Sequence, residues 1–183
     1  IPMRPSREEA RSQLDLPFDK KLLAILPGSR AGEISRVLEV FIEAAQLVKQ
    51  KEQDLVCVIP CVNEERKAQV EVMLKEAAPA LDVRVVLGRS REVMPSSDAV
   101  LLASGTATLE CMLLKRPMVV AYKLNSLTDK IMKRLIKTPF VALPNLLANK
   151  LLVPELLQDA ASAENRASKV LERLSVRAGE LLE

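Results

Sequence analysis

Histidine and tryptophan are absent from this 183-residue chain, and the other aromatic residues amount to three Phe and one Tyr. Without histidine the chain cannot build a zinc site with imidazole ligands, a Ser-His-Asp triad or a Cys-His pair. Any general acid or base must therefore be a carboxylate, lysine, tyrosine or cysteine. So few rings do not supply the stacking platforms that bind single-stranded nucleic acid, and we expect no nucleic-acid partner.

Cysteine is also scarce, and all three thiols, at Cys57, Cys61 and Cys111, lie within apolar runs. An odd number of cysteines in such positions predicts buried, reduced thiols in a reducing compartment, for which the cytoplasm is the default. Cys57 and Cys61 flank Pro60 without a second pair nearby, so buried thiols are favoured over a metal site. The sequence predicts no cofactor and no metal.

Long hydrophobic runs are missing: no stretch of about 18 apolar residues occurs, and no signal-peptide pattern opens the chain. The first residues are Ile1-Pro2-Met3, which suggests a piece of a longer protein. The formal net charge is only +3, but basic residues concentrate in one predicted helix, at Lys123, Lys130, Lys133, Arg134 and Lys137. On composition alone a solvated face is favoured over a surface that docks on anionic lipid.

Segments with the strand period alternate with segments with the helical period along the whole chain, as is typical of a parallel sheet covered by helices. Strands are predicted at 22–26, 55–59, 83–87, 99–102 and 118–122, with a sixth candidate at 140–142. We expect an α/β fold: a Rossmann-like parallel sheet of five to six strands with helices on both faces. It forms a single domain over 1–183 with a helical tail from about residue 154.

Helix starts are marked by Ser6 with Glu9, which form a capping-box pattern, and by Asn63 as an N-cap residue. Apolar residues from Ile34 to Val48 have the spacing of one helix face. The segment 92–95 is predicted to be a short connection.

A small-residue turn follows the apolar run 99–103 and leads into a helix that carries Glu110. Its members are Ser104, Gly105, Thr106, Ala107 and Thr108. Small side chains let a ligand approach the backbone, and the first N–H groups of a helix have no partner inside it, so such turns bind phosphates. Glu110 is suited to accept the hydroxyls of a ribose. An ordinary strand-to-helix turn with a solvent-facing Glu110 is the alternative.

A second turn, which contains Gly28, Ser29 and Arg30, adds a fixed positive charge. A charge-assisted hydrogen bond is worth about 1.5–3 kcal/mol and a helix terminus typically about 0.3–1 kcal/mol, so Arg30 would dominate the binding of a diphosphate. The alternative is a solvated Arg30, with Ser29 as a helix cap. Because both turns follow strands of a parallel sheet, they are expected at one edge, where they would form a cleft for a nucleoside diphosphate.

Asn145 follows Pro144 in an apolar loop and can both donate and accept hydrogen bonds. Completion of a turn is the alternative role for this side chain.

Four motifs follow one another along the chain. They are LPGSR at 26–30 with Glu33 and Ile34, SGTATLE at 104–110, KTP at 137–139 and LPNLLA at 143–148. In their content and order these motifs resemble the carboxyl-terminal half of the lipid-A-disaccharide synthase family. The chain resembles that half from about residue 20 to 160. The resemblance implies a GT-B fold, of which this chain would be one half.

The resemblance also implies an inverting hexosyltransferase that joins UDP-2,3-diacylglucosamine to 2,3-diacylglucosamine 1-phosphate and releases UDP. The chain would be its donor-binding half, with Arg30 on the diphosphate, Glu110 at the ribose and Asn145 near the donor. It would be inactive alone, because the amino-terminal half holds the acceptor site and the general base.

Substrates that carry acyl chains place such an enzyme at a membrane surface, so the resemblance favours lipid docking by the basic helix. It implies a cytoplasmic protein peripheral to the inner face of the inner membrane of a Gram-negative-type bacterium. Whether the chain forms a homodimer stays open. The alternatives are another GT-B-like enzyme, such as a UDP-N-acetylglucosamine 2-epimerase, and a non-catalytic membrane-docking domain.

Overall fold

Six strands form one parallel sheet in this computed structural model, which describes residues 5–103, 106–122, 147–148, 153, 155–157 and 162–175. The strands are β1 (Leu22–Leu26), β2 (Val56–Cys61), β3 (Val83–Leu87), β4 (Ala99–Leu102), β5 (Met118–Tyr122) and β6 (Glu155–Leu157). Their order is β3-β2-β1-β4-β5-β6, and every neighbouring pair is parallel. The predicted Rossmann-like sheet is thereby confirmed.

Helices cover both faces of the sheet. They are α1 (Arg7–Gln13), α2 (Ala31–Lys51), α3 (Glu64–Ala77), α4 (Ser90–Ser96), α5 (Ala107–Leu113) and α6 (Ala163–Ser175). One hydrophobic core joins the sheet to α2, α3 and α6, and a second core joins its other face to residues of α4 and α5. The residues of the central strands β1 and β4 are buried, apart from the partly buried Leu26, because helices cover these strands on both sides.

The predicted helix starts are confirmed by their hydrogen bonds. The Ser6 hydroxyl accepts from the Glu9 N–H, and the Glu9 carboxylate accepts from the Ser6 N–H, so the capping box is complete. The Asn63 side chain accepts from the Arg66 N–H at 2.9 Å. Helix α2 buries Ile34, Phe41 and Val48 on the predicted face.

Two segments differ from the predictions. The supposed connection at 92–95 belongs to helix α4, in which Pro95 is the second-last residue and has no N–H to donate within the helix. The tail is not helical from about residue 154, because Glu155–Leu157 pairs with β5 as the edge strand β6. Helix α6 then packs against α2. The candidate strand at 140–142 lies outside the described residues.

Helix α1 is attached to the amino ends of the central strands by a buried guanidinium. Arg11 is fully buried; it donates to the Asp98 carboxylate at 2.9 Å and to the backbone oxygens of Ser96, Pro17, Phe18 and Lys20. Asp98 also accepts from the Leu22 N–H at 2.8 Å. This network joins α1 to the starts of β1 and β4.

The chain reverses direction across the sheet between β1 and β4. Strands β2 and β3 extend to one side of β1, and β4, β5 and β6 extend to the other. Leu26 and Leu102, the last residues of β1 and β4, are register partners, and the Ala103 N–H donates to the Leu26 carbonyl at 3.2 Å. The segments that follow β1 and β4 therefore leave the sheet side by side, where open α/β folds bind ligands.

Candidate nucleotide-binding cleft

A cleft of about 630 Å³ lies at the carboxyl ends of β1 to β4. The segment after β1 lines it with Gly28, Ser29, Arg30 and Glu33, and the segment after β4 lines it with Ala103, Thr106, Ala107 and Glu110. Arg30 and Thr106 therefore face one cavity. A diphosphate site shared by the two segments requires this arrangement.

The turn after β1 is built around a glycine. Gly28 has φ +116°, a conformation that side-chain-bearing residues rarely adopt. The chain then enters α2, whose N-cap residue is Arg30 and not Ser29. The Arg30 side chain is exposed and makes no capping hydrogen bond. Its guanidinium is thus available to a ligand beside the unpaired N–H groups that begin a helix.

Glu33, in the first turn of α2, folds back onto this turn. Its Oε2 accepts from the Ser29 N–H at 3.2 Å. The cleft therefore contains an acid beside its arginine, and sequence reasoning assigned no role to it.

On the other wall, the first turn of α5 divides its residues between cleft and core. Thr106, Ala107 and Glu110 line the cleft, and Glu110 is exposed. Thr108 is fully buried and is not among the described lining residues, unlike its neighbours Thr106 and Ala107. Its predicted contact with the ligand stays a prediction that this burial does not favour. Thr108 and the buried Cys111 are three positions apart and share the inner helix face.

Several predicted residues lie outside the described part of the chain. They are Ser104, Gly105, Asn145, Lys123, Lys130, Lys133, Arg134 and Lys137. Their roles stay predictions.

The cleft has a further wall that sequence reasoning missed. Pro60, Cys61 and Val62 line it at the end of β2, and Gly88 and Ser90 line it after β3. Val62 is 60% exposed and gives this wall an apolar surface. The available signal was positional, because residues that follow the other parallel strands meet at the same edge.

The cysteines are free and buried, as predicted. Burial raises the pKa of Cys61 to about 11 and that of Cys57 to about 12, so both thiols stay neutral near pH 7. A neutral Cys61 is a poor nucleophile, and it adds no negative charge to the cleft.

No group of three or more Cys, Asp or Glu residues suited to a metal ion occurs within the described ranges. Over the same ranges, none of the helices is long and apolar enough to cross a bilayer.

Solved structures with the same architecture are glycosyltransferases and related enzymes. The chain superposes on ADP-heptose heptosyltransferase II of E. coli with a TM-score of 0.64 at 12% identity, covering 95% of this chain and 52% of that one. For WaaG, a glycosyltransferase of lipopolysaccharide biosynthesis, the TM-score is 0.60 at 16% identity, over 96% of this chain and 43% of that one. The protein has the Rossmann-like fold of one half of a GT-B glycosyltransferase.

The sequence comparisons identify the family. The family model for lipid-A-disaccharide synthetase matches residues 1–179. The chain is 49% identical to the lipid-A-disaccharide synthase of Alteromonas mediterranea over 93% of its length and 46% of that protein. It is also 49% identical to the enzyme of Azotobacter vinelandii, over 96% of this chain and 47% of that protein. The chain belongs to the lipid-A-disaccharide synthase family, and it spans about half the length of these relatives.

The alternative of a UDP-N-acetylglucosamine 2-epimerase is supported by a shared fold and not by sequence identity. UDP-GlcNAc 2-epimerase from Neisseria meningitidis, solved with UDP-GlcNAc bound, superposes with a TM-score of 0.56 at 13% identity, over 94% of this chain and 43% of that one. Identity this low is evidence for the fold alone.

Proposed function

We propose that this chain is the donor-binding half of a lipid-A-disaccharide synthase and holds the UDP of UDP-2,3-diacylglucosamine. The observation that carries the proposal is the cleft in which Arg30 and Gly28 face Thr106 and Glu110 at the ends of β1 and β4. The family and the GT-B fold support it independently. The complete protein transfers the donor sugar to 2,3-diacylglucosamine 1-phosphate and releases UDP.

Arg30 and the amino end of α2 bind the diphosphate in this proposal. A guanidinium can donate two parallel hydrogen bonds to phosphate oxygens and stays charged at any working pH. The first four N–H groups of α2 have no acceptor within the helix and carry the positive end of its dipole. As the bond to the sugar breaks, negative charge grows on the leaving UDP, and these groups stabilise it.

Glu110 binds the ribose, and Asn145 contributes to the same donor site. From the first turn of α5, the exposed Glu110 carboxylate can accept hydrogen bonds from both ribose hydroxyls. The Thr106 hydroxyl, on the same wall, is a further donor toward phosphate or ribose.

The proton of the acceptor hydroxyl is removed by the other half of the protein. Inversion requires a general base on the acceptor side and stabilisation of the leaving group on the donor side. The proposal assigns only the second role to this chain. The complete protein works at the anionic inner face of the inner membrane, where Lys123, Lys130, Lys133, Arg134 and Lys137 attract lipid headgroups.

Titration calorimetry with UDP tests the proposal on the 183-residue chain. We expect UDP to bind to the wild-type chain. Arg30→Ala should weaken binding about tenfold or more, because one or two charge-assisted hydrogen bonds are lost. Arg30→Lys should recover only part of the affinity, since an ammonium cannot bind two phosphate oxygens in parallel.

Arg36→Ala is the matched control. Arg36 lies exposed on α2 outside the cleft lining and carries the same charge. If Arg36→Ala weakens UDP binding as much as Arg30→Ala, only net charge matters and the assignment of Arg30 is wrong. No binding of UDP by the wild-type chain would refute the donor-site proposal.

A further inference from the structure

Glu33 makes two contacts with the turn that precedes its own helix. Its Oε2 accepts from the Ser29 N–H at 3.2 Å, and its carboxyl group occupies the space on the Cα of Gly28 where a side chain would lie. A Cβ atom added at Gly28 would overlap Glu33. Glycine at position 28 therefore has two reasons: it allows the φ of +116°, and it leaves room for the Glu33 carboxyl group.

These contacts occur at a helix start that has no side-chain cap. Arg30 is the N-cap residue and forms no side-chain capping hydrogen bond. In a capping box the third helical residue reaches back to the N–H of the N-cap residue. Glu33 occupies that third position but reaches one residue further, to Ser29. Its carboxylate therefore ties the turn to the helix.

The contact with Glu33 is needed because the other residues of this turn gain little from packing. Ser29 and Arg30 are both exposed, and glycine has the largest backbone freedom of any residue. Ordering such a turn only when a ligand arrives would reduce affinity, because the lost conformational entropy opposes binding.

We propose that Glu33 is a positioning residue that holds the turn of Gly28, Ser29 and Arg30 in the shape that presents the Arg30 guanidinium to the ligand diphosphate. The inference rests on the proposed donor site. Charge alone predicts the opposite role: a carboxylate beside a diphosphate repels it, so Glu33 would compete with the ligand for the Ser29 N–H. The fit between the carboxyl group and the bare Cα of Gly28 favours the positioning role.

Calorimetry with UDP separates the two roles by charge and by hydrogen bonding. Glu33→Ala removes both contacts and is expected to raise the Kd about fivefold or more. Glu33→Gln keeps an oxygen acceptor for the Ser29 N–H without the charge, and we expect it to bind UDP at least as tightly as the wild type. Glu39→Ala, on an exposed α2 position outside the cleft lining, is the matched control and should leave the Kd unchanged.

Tighter UDP binding by both Glu33→Ala and Glu33→Gln would show competition and overturn the positioning role. Equal weakening by both variants would overturn it as well, because the charge and not the tie would then matter. Circular dichroism and thermal melting of each variant verify that it is folded.

The Ser29 amide proton provides a readout that does not depend on UDP. In ligand-free NMR spectra its chemical shift should move clearly in Glu33→Ala and much less in Glu33→Gln, while Glu39→Ala leaves it in place. If the wild-type chain fails to bind UDP but this pattern appears, the donor site is wrong and the tie between Glu33 and the turn stands. If UDP binds and neither the Ser29 shift nor the Kd responds to Glu33→Ala, the donor site stands and the inference fails.

Discussion

Neighbouring side chains in the first turn of α5 have different surroundings, because each position on a helix faces a different direction. In α5, Glu110 faces the cleft and Thr108 faces the core, although both belong to the same small-residue motif. The motif predicted a cleft at the end of β4, and the described residues Thr106, Ala107 and Glu110 line one there. It did not separate outward from inward positions, which the spacing of Thr108 and Cys111 on one apolar face would have indicated.

Glu110→Gln tests the role of the carboxylate at the ribose. An ionised carboxylate accepts from both ribose hydroxyls, whereas an amide has a single acceptor oxygen. We expect wild-type chain to prefer UDP over 2′-deoxy-UDP by about tenfold and the variant to lose most of that preference. Competition calorimetry with both nucleotides measures the ratio.

The matched control is Glu76→Gln, at an exposed position on α3 away from the cleft lining. It should keep the preference of the wild type. An unchanged preference in Glu110→Gln would place the ribose elsewhere.

At the scale of elements, patterns that are complete within a few residues predicted the structure well. Strands β1, β3, β4 and β5 have the predicted bounds, and the caps at Ser6 and Asn63 form the expected hydrogen bonds. Helix α4 and strand β6 were missed. Each is short, and β6 exists by pairing with β5, a contact that no local pattern encodes.

The attachment of α1 predicts a stability effect separate from binding. Burial lowers the pKa of the Arg11 guanidinium, and the neighbouring Asp98 carboxylate opposes that shift. Contact with Asp98 therefore helps to keep the buried Arg11 charged. Arg11→Met leaves several backbone oxygens without their buried donor, whereas Asp98 keeps Arg7 at 2.8 Å and the Leu22 N–H as partners. The change should reduce the free energy of unfolding by about 3 kcal/mol, the cost of buried polar groups without hydrogen bonds. Urea denaturation measures this change.

Two comparisons make that prediction specific. Arg36→Met, at an exposed position, should change the free energy of unfolding by less than about 0.5 kcal/mol. Folded Arg11→Met protein should bind UDP like the wild type, because Arg11 and Asp98 lie at the amino ends of the strands and the cleft at their carboxyl ends. A stability loss no larger than that of Arg36→Met would show that the network does not anchor α1.

At the scale of the whole molecule, the chain corresponds to about half of its relatives, 46% and 47% of two of them. We expect the 183-residue chain alone to form no tetraacyldisaccharide 1-phosphate from purified substrates, because the proposed function assigns the general base to the other half. Addition of the amino-terminal half of a relative should restore some activity if the two halves associate. Product formation by the chain alone would contradict the proposed division of roles.

Membrane docking by the basic residues from Lys123 to Lys137 is tested by sedimentation with vesicles. Binding to anionic vesicles should weaken as ionic strength rises toward about 1 M, where the Debye length is about 3 Å. Neutral vesicles are the control. Replacement of Lys130, Lys133 and Arg134 by Gln should remove the salt-sensitive part, and unchanged sedimentation would exclude these residues as the lipid-facing surface.

The sequence by itself determined the alternation of strands and helices, the caps and the two turns, because these depend on residues within one or two helical turns of each other. The tertiary structure decided which turns meet. Pairing of β1 with β4 places Arg30 and Glu110 on one cleft, although β2 and β3 lie between them in the chain. The same packing turned Thr108 inward and added β6, because burial and register join residues that are distant in sequence. The contact of Glu33 with Gly28 is local, but it depends on the φ of +116° at Gly28 and was not read from the sequence.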